Sequence, residues 1–285
     1  MERHKTPLRQ HILLRYRQPS IGNEGPVPRM LIELLVCFSL IFLIATLFYK
    51  QRRSDFSVLQ LDAEQIDEQL TDLLEEGQPI VVRGVQPPKG LTRDSLQKIH
   101  RLAEFPVGGL PLHAILQNPA ALSQAAGKPV FSQEDAVALA DELAIPVWAE
   151  PAWLGRLNQF TMFGAALGTL RTECMLGGVG LTRGKAIVTC IFVTEGKYTA
   201  SILMKDSERF LPSRWEYRYP STFTVNDTPL VSDLKYLDIV LRPGTALLIP
   251  SHTIYSLQPS GEDTAFHAAA VLEYHEPISL IAKSI

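Results

Sequence analysis

The sequence predicts a mainly β domain, a sandwich or jelly-roll barrel, with a helical N-terminal part and a single transmembrane helix ahead of it. Three observations carry that expectation. Short runs rich in Val, Ile, Thr and Tyr recur from Leu170 onward, with turn signals between them. Apolar residues at helical spacing dominate the stretch before those runs. An apolar run, MLIELLVCFSLIFLIATLFY, fills residues 30–49.

Residues 1–29 form a basic tail, with Arg3, Lys5, Arg9, Arg15, Arg17 and Arg29 against Glu2 and Glu24. In residues 30–49 only Glu33 is charged. About 20 residues at about 1.5 Å each match a hydrocarbon core of about 30 Å. Phe48 and Tyr49, then Lys50, Arg52 and Arg53, read as an interfacial anchor. The head is too long for a cleaved signal. The expectation is therefore a retained single-pass helix with the lipid bilayer as partner. Basic residues flank both ends, and the tail's larger charge leans the main domain to the non-cytoplasmic side. Residues 50–55 read as a basic juxtamembrane linker.

Residues 56–169 read as the helical and strand N-terminal part of the domain. Acidic residues from Asp55 to Glu76 interleave with Leu59, Leu61, Ile66, Leu70, Leu73 and Leu74. That spacing predicts an amphipathic helix over 54–78, ended by Gly77 and Pro79. PIVVRGV (79–85) reads as a buried strand. LTRDSLQKIHRLAEF reads as a helix with Thr92 or Asp94 near its start. SQEDAVALADEL reads as another, capped by Ser132 with Asp135 three residues on and ended by Pro146. Trp148 and Trp153 read as packing.

Residues 170–285 read as the barrel core. Its runs are TLRTECMLGG, AIVTCIFVTE, YTASILMKD, YLDIVLRPG, TALLIPS, TIYSLQ and TAFHAAAVLEY. VTEGKYT reads as a tight hairpin. Between the first two runs lies GVGLTRGKAI (178–187), which reads as a loop rim carrying Arg183 and Lys185 two residues apart. Net charge is −3, so the whole chain has no nucleic-acid footprint. Three cysteines make no disulfide framework. Cys174 and Cys190 read as half-buried thiols, with a cross-strand bridge open if the domain faces an oxidising space.

PIVVRGV, then MLGGVGLTRGKAIVTCIFVTEGKYTASILM, then LRPGTALLIPSHTIYSLQ resembles a JmjC-related cupin of the cupin-like, factor-inhibiting-hydroxylase-like group. The similarity covers roughly residues 56–278. Its most specific piece is Arg242-Pro-Gly-Thr-Ala-Leu-Leu-Ile-Pro250, similar to the family's Pro-Gly-Asp-x-Leu-x-Ile-Pro strand. The resemblance implies a double-stranded β-helix (cupin, jelly-roll). In the family, that barrel holds Fe(II) on two histidines and one carboxylate and binds 2-oxoglutarate. Matched without gaps, the ligand positions fall on Arg183, Lys185 and Tyr255. The basic residue that grips 2-oxoglutarate falls near Lys197 or Tyr198. A guanidinium has no lone pair to give, and two cations about 7 Å apart repel a divalent ion.

The seven histidines leave one alternative ligand, His252, three residues before the matched position. Three functions stay open. The first is a non-catalytic pseudoenzyme, with no metal and no cofactor, that binds or assembles with an unknown protein partner. The second is a Fe(II)/2-oxoglutarate-dependent hydroxylase (dioxygenase) with displaced ligands. The third is an anion-binding module using Arg183 and Lys185 at the barrel mouth, with Tyr255 and Lys197 near. A homodimer is an expectation from family analogy.

Overall fold

Every strand expected from Leu170 onward forms in the computed structural model, which describes residues 26–51, 57–123, 127–161, 164–261 and 265–277. Within these residues the chain is mainly β-sheet with helices. It divides into two units, Met1–Leu43 and Ile44–Ile285.

The first unit contains most of α1 (Pro26–Gln51). Among the described residues, no helix is long and apolar enough to cross a membrane. That corrects the single-pass transmembrane helix over residues 30–49 and the single-pass localisation with its non-cytoplasmic lean. The basic tail and the basic linker lie outside the described residues, apart from Pro26–Arg29 and Lys50–Gln51.

The second unit opens with β1 (Leu59–Asp62), α2 (Ile66–Glu75) and β2 (Ile80–Arg83). The acidic helix is thus shorter than expected. Leu59 and Leu61 belong to a strand because β1 pairs in parallel with β2. A small hairpin, β3 (Pro106–Val107) and β4 (Leu110–Pro111), sits among short helices: α3 (Arg93–Lys98), α4 (Leu112–Gln117) and α5 (Ala120–Ser123). Next come α6 (Gln133–Glu142), α7 (Ile145–Ala149), α8 (Gly155–Phe160) and α9 (Gly164–Leu167). Both expected caps form. The Thr92 hydroxyl accepts from the Ser95 N–H at 3.3 Å, and the Ser132 hydroxyl accepts from the Asp135 N–H at 3.1 Å.

The remaining strands are β5 (Thr169–Leu176), β6 (Val179–Arg183), β7 (Val188–Glu195), β8 (Tyr198–Leu203), β9 (Tyr236–Leu241), β10 (Thr245–Pro250), β11 (Ile254–Pro259) and β12 (Ala268–His275). They fall into a large sheet, β1-β2-β10-β7-β12-β5, and a small one, β6-β11-β8-β9. The expected hairpin at VTEGKYT does not exist as a ladder. Strand β7 pairs with β10 and β12, and β8 pairs with β11 and β9. The turn instead carries the chain from one sheet to the other. Gly196 makes it, at φ +81°, where a Cβ would stand 2.5 Å from the His267 ring.

Side-chain alternation divides the core into layers. Even-numbered residues of β2, β5, β7, β10 and β12, such as Cys190, Phe192 and Leu272, face the helices, as does Leu61 of β1. Odd-numbered ones, such as Ile191, Val193 and Leu247, face Tyr198, Ala200 and Leu257 of the small sheet. The outer face of the small sheet, at Leu181, Leu203 and Ile254, is covered by Trp215, Phe223 and Leu234 from the 204–235 connection. Trp148 and Trp153 do pack, edge-on to Phe192, at 5.1 and 4.8 Å between centroids. Cys174 and Cys190 are free, and β12 lies between their strands. Two strand spacings, about 10 Å, exceed the reach of a disulfide.

Candidate ligand site between the two sheets

The stretch expected to be a loop rim is half strand. Residues 179–183 form β6, whose Arg183 and Thr182 pair with Ile254 and Tyr255 of β11. Gly180 lets the 215–219 segment run against β6: a Cβ there would meet the Tyr217 carbonyl oxygen at 2.3 Å. The Leu181 N–H donates to the Arg218 carbonyl, and the Tyr217 N–H donates to the Leu181 carbonyl. After β6 the chain turns, locked by Gly184 N–H to the Thr253 carbonyl and His252 N–H to the Gly184 carbonyl, both at 2.9 Å.

Between the sheets at this end lies a cavity of about 360 Å³. Arg183, Lys185 and Tyr255 all line it. Arg183 and Lys185 therefore share a cavity with Tyr255 of β11. Tyr255 is 8% exposed. Burial, and then the charges of Glu273 and Glu173, push its hydroxyl pKa up, so it stays a neutral phenol. Lys185 is exposed at the rim. The Arg183 guanidinium pairs with Glu208 at 2.6 Å and also donates to the His252 carbonyl at 3.5 Å.

Two other matched residues lie elsewhere. Lys197 is exposed at the β7–β8 turn, where its carbonyl accepts from the Ser260 N–H at 2.8 Å. It does not line the cavity. The neighbouring Tyr198 is buried, and its hydroxyl donates to the Gly177 carbonyl at 2.8 Å. His252 sits at φ +60° on the turn before β11 and lines a separate small crevice with Leu203 and Glu208.

The opposite wall comes from the large sheet. Val271 lies across from Glu173, and Glu273 from Arg171, so these four share the face turned to the small sheet. Glu173 and Glu273 line the cavity. Arg171 holds Glu173 at 3.0 Å, and the Gln133 amide donates to it at 3.2 Å. His275 lies 3.3 Å from Glu273. Glu173 lies in the run TLRTECMLGG, legible as a strand. Glu273 lay in a strand whose face was legible and whose neighbours were not. Tyr217 gave no signal at all, since it belongs to a connection without period.

Ferrous iron needs lone-pair donors at short range. Arg183 and Lys185 offer none while protonated, and the buried Tyr255 holds its proton. Among the described residues, no histidine lines the cavity. Among the described residues, no group of three or more His, Cys, Asp or Glu side chains is placed to hold a metal ion. The residues present do not fit Fe(II). The expected basic grip on 2-oxoglutarate is not assembled there either, because Lys197 stands away from the cavity.

Compared with protein-family models the chain matches none, and no curated protein matches it.

Proposed function

We propose that this chain is a cupin-like, non-catalytic jelly-roll module that binds a small ligand in the mouth of its barrel. The carrying observation is that Arg183, Lys185 and Tyr255 line one cavity at the open end of the sheets. These are the residues that stand where the resembled family keeps its metal ligands. The strand order supports the fold half of the reading. Strands β5, β7, β10 and β12 lie in one sheet and β6, β8, β9 and β11 in the other. Four consecutive strands thus alternate between sheets, as the paired Greek keys of a jelly roll require. The donor chemistry supports the other half, since permanent cations have replaced metal ligands. The cavity volume lies within the usual range for small-molecule sites, about 300–1,000 Å³.

The test is direct. The full chain is incubated anaerobically with Fe(II) and 2-oxoglutarate, freed of unbound metal, and analysed for iron. Carbon dioxide release is then measured in air. The expected result is iron far below one per chain and no release above the buffer blank. One iron per chain with 2-oxoglutarate turnover overturns the reading, and loss of that iron in His252→Ala would point to displaced ligands.

A further inference from the structure

We infer that residues 204–235 form a strap that lifts off the small sheet as one body while the two sheets stay folded, and that its lifting opens the cavity wall at Tyr217 and releases Arg183. The link to a ligand rests on the binding-module reading; the motion does not.

Such a strap needs a hinge, a braced body and a weak seat. The hinge lies where the connection leaves β8 and enters β9, two strands that pair with each other. There the Met204 N–H donates to the Lys235 carbonyl and the Lys235 N–H donates to the Ser207 hydroxyl, both at 3.0 Å. That hydroxyl donates in turn to the Asp233 carbonyl at 3.0 Å. The two ends are thus fixed side by side. The body is braced by Arg218, which binds Asp227, donates to the Thr222 carbonyl at 2.8 Å and lies over the Phe223 ring. These bonds lie within residues 218–227, so a rigid lift leaves them intact.

The seat is the outer face of the small sheet. Leu211, Trp215, Phe223, Val231 and Leu234 pack there against Leu181, Leu203 and Ile254. On the same face, the Ser256 and Tyr236 hydroxyls are buried with no hydrogen-bond partner among the described residues. Ser256 is 0% exposed and shares this face with Ile254 by alternation, and Tyr236 packs against the same cluster. A buried hydroxyl without a partner weakens the seated state, and water satisfies it once the strap lifts. Tyr217 adds a second cost, because it is held at φ +61°, in the left-handed region that favours glycine.

The ties that hold the strap down are few and lie at the cavity. The Leu181 N–H donates to the Arg218 carbonyl at 2.9 Å, and the Tyr217 N–H donates to the Leu181 carbonyl at 2.8 Å. Arg183 pairs with Glu208 of the strap at 2.6 Å, with side chains 36% and 44% exposed, so salt screens the pair. Tyr217 and Arg183 both line the cavity. Lifting therefore withdraws one lining side chain and frees one lining cation from its acid.

The experiment is hydrogen exchange of the full chain, read at single amides by mass spectrometry in low and high salt. The Leu181 and Tyr217 amides are expected to exchange together, about tenfold or more faster than those of β7 and slower than those of β9. Ser256→Ala and Tyr236→Phe each remove an unpartnered hydroxyl from the seated state, and each is expected to slow both amides about fivefold or more. Glu208→Gln is expected to speed both about twofold to fivefold and to remove most of their response to salt. Exchange of both amides at the β7 rate overturns the proposal, because the strap then leaves only on global unfolding. So does slowing of β7 alone in the two hydroxyl variants, or unchanged or faster exchange of the two amides there. A salt response that Glu208→Gln leaves intact overturns it as well. Iron uptake with 2-oxoglutarate turnover sinks the binding-module reading and leaves the strap standing; a metal-free chain whose Leu181 and Tyr217 amides follow β7 sinks the strap alone.

Discussion

Asp227 shows how much one residue organises in a connection whose regular structure is limited to short 3₁₀ turns. The Arg218 guanidinium binds it at 2.5 and 3.0 Å, and the Thr224 N–H and hydroxyl both donate to it at 2.9 Å. Arg218, ahead of Thr224, holds its carboxyl well below the usual carboxylate range. A depressed carboxylate contributes stability above its unfolded pKa, about 3.9, and loses it as pH falls through the folded value. Asp227→Asn is therefore expected to lower Tm at pH 7, with the gap to wild type closing below about pH 4. Thermal melts of both proteins across that range check the sign. A gap that stays constant down to pH 2 contradicts it. The loop matters to the cavity because Arg218 pairs with β6 and Tyr217 lines the site.

At the scale of elements, β7 is the strand on which the layers are built. It is buried on both faces from Val188 to Thr194 and pairs on both edges. Its even face takes the helical layer, where Phe192 is 1% exposed and meets Trp148 and Trp153. Truncating Phe192 to Ala removes that anchor and leaves a cavity. The expected loss is about 3–5 kcal/mol, measured by urea unfolding. The candidate cavity lies on the other face of the large sheet, and Phe192 does not line it. A stability loss under about 1 kcal/mol would mean that the helical layer is not held on this contact.

At the scale of the molecule, strand order predicts how stability is distributed. Strand β7 sits between β10 and β12, whereas β1 and β9 are sheet edges. Amides of β7 and β12 are expected to exchange slowest, near the global unfolding limit, and those of β9 fastest among the long strands. Strand β6 is also an edge, yet the 217–218 segment pairs along it. Its protection should exceed that of β9. Equal exchange in β7 and β9 would contradict the order, and protection of β6 no better than β9 would mean that the connection opens freely. That last outcome would bear on the site, because the same segment closes the cavity's rim.

The sequence by itself determined the local elements and their faces. Runs rich in Val, Ile, Thr and Tyr between turn signals placed the strands after Leu170, and polar residues at Thr92 or Asp94 and at Ser132 placed two helix starts. It did not show β6, because Gly180 lies within it and Gly178 and Gly184 flank it, and all three read as turn residues. It did not show β1, because LQLD sits inside an acidic run that also fits a helix. The apolar run at 30–49 read as a membrane span, a reading the described residues of α1 do not support. Only the tertiary structure decided that β7 and β8 belong to different sheets, that β12 separates Cys174 from Cys190, and that Lys185, Glu173 and Glu273 line one cavity. The reason is physical. Periodicity is set by the backbone over a few residues, so a single sequence records which side of a strand is buried. Strand order is chosen by packing between segments tens of residues apart, and no local pattern records which wall a charge will face.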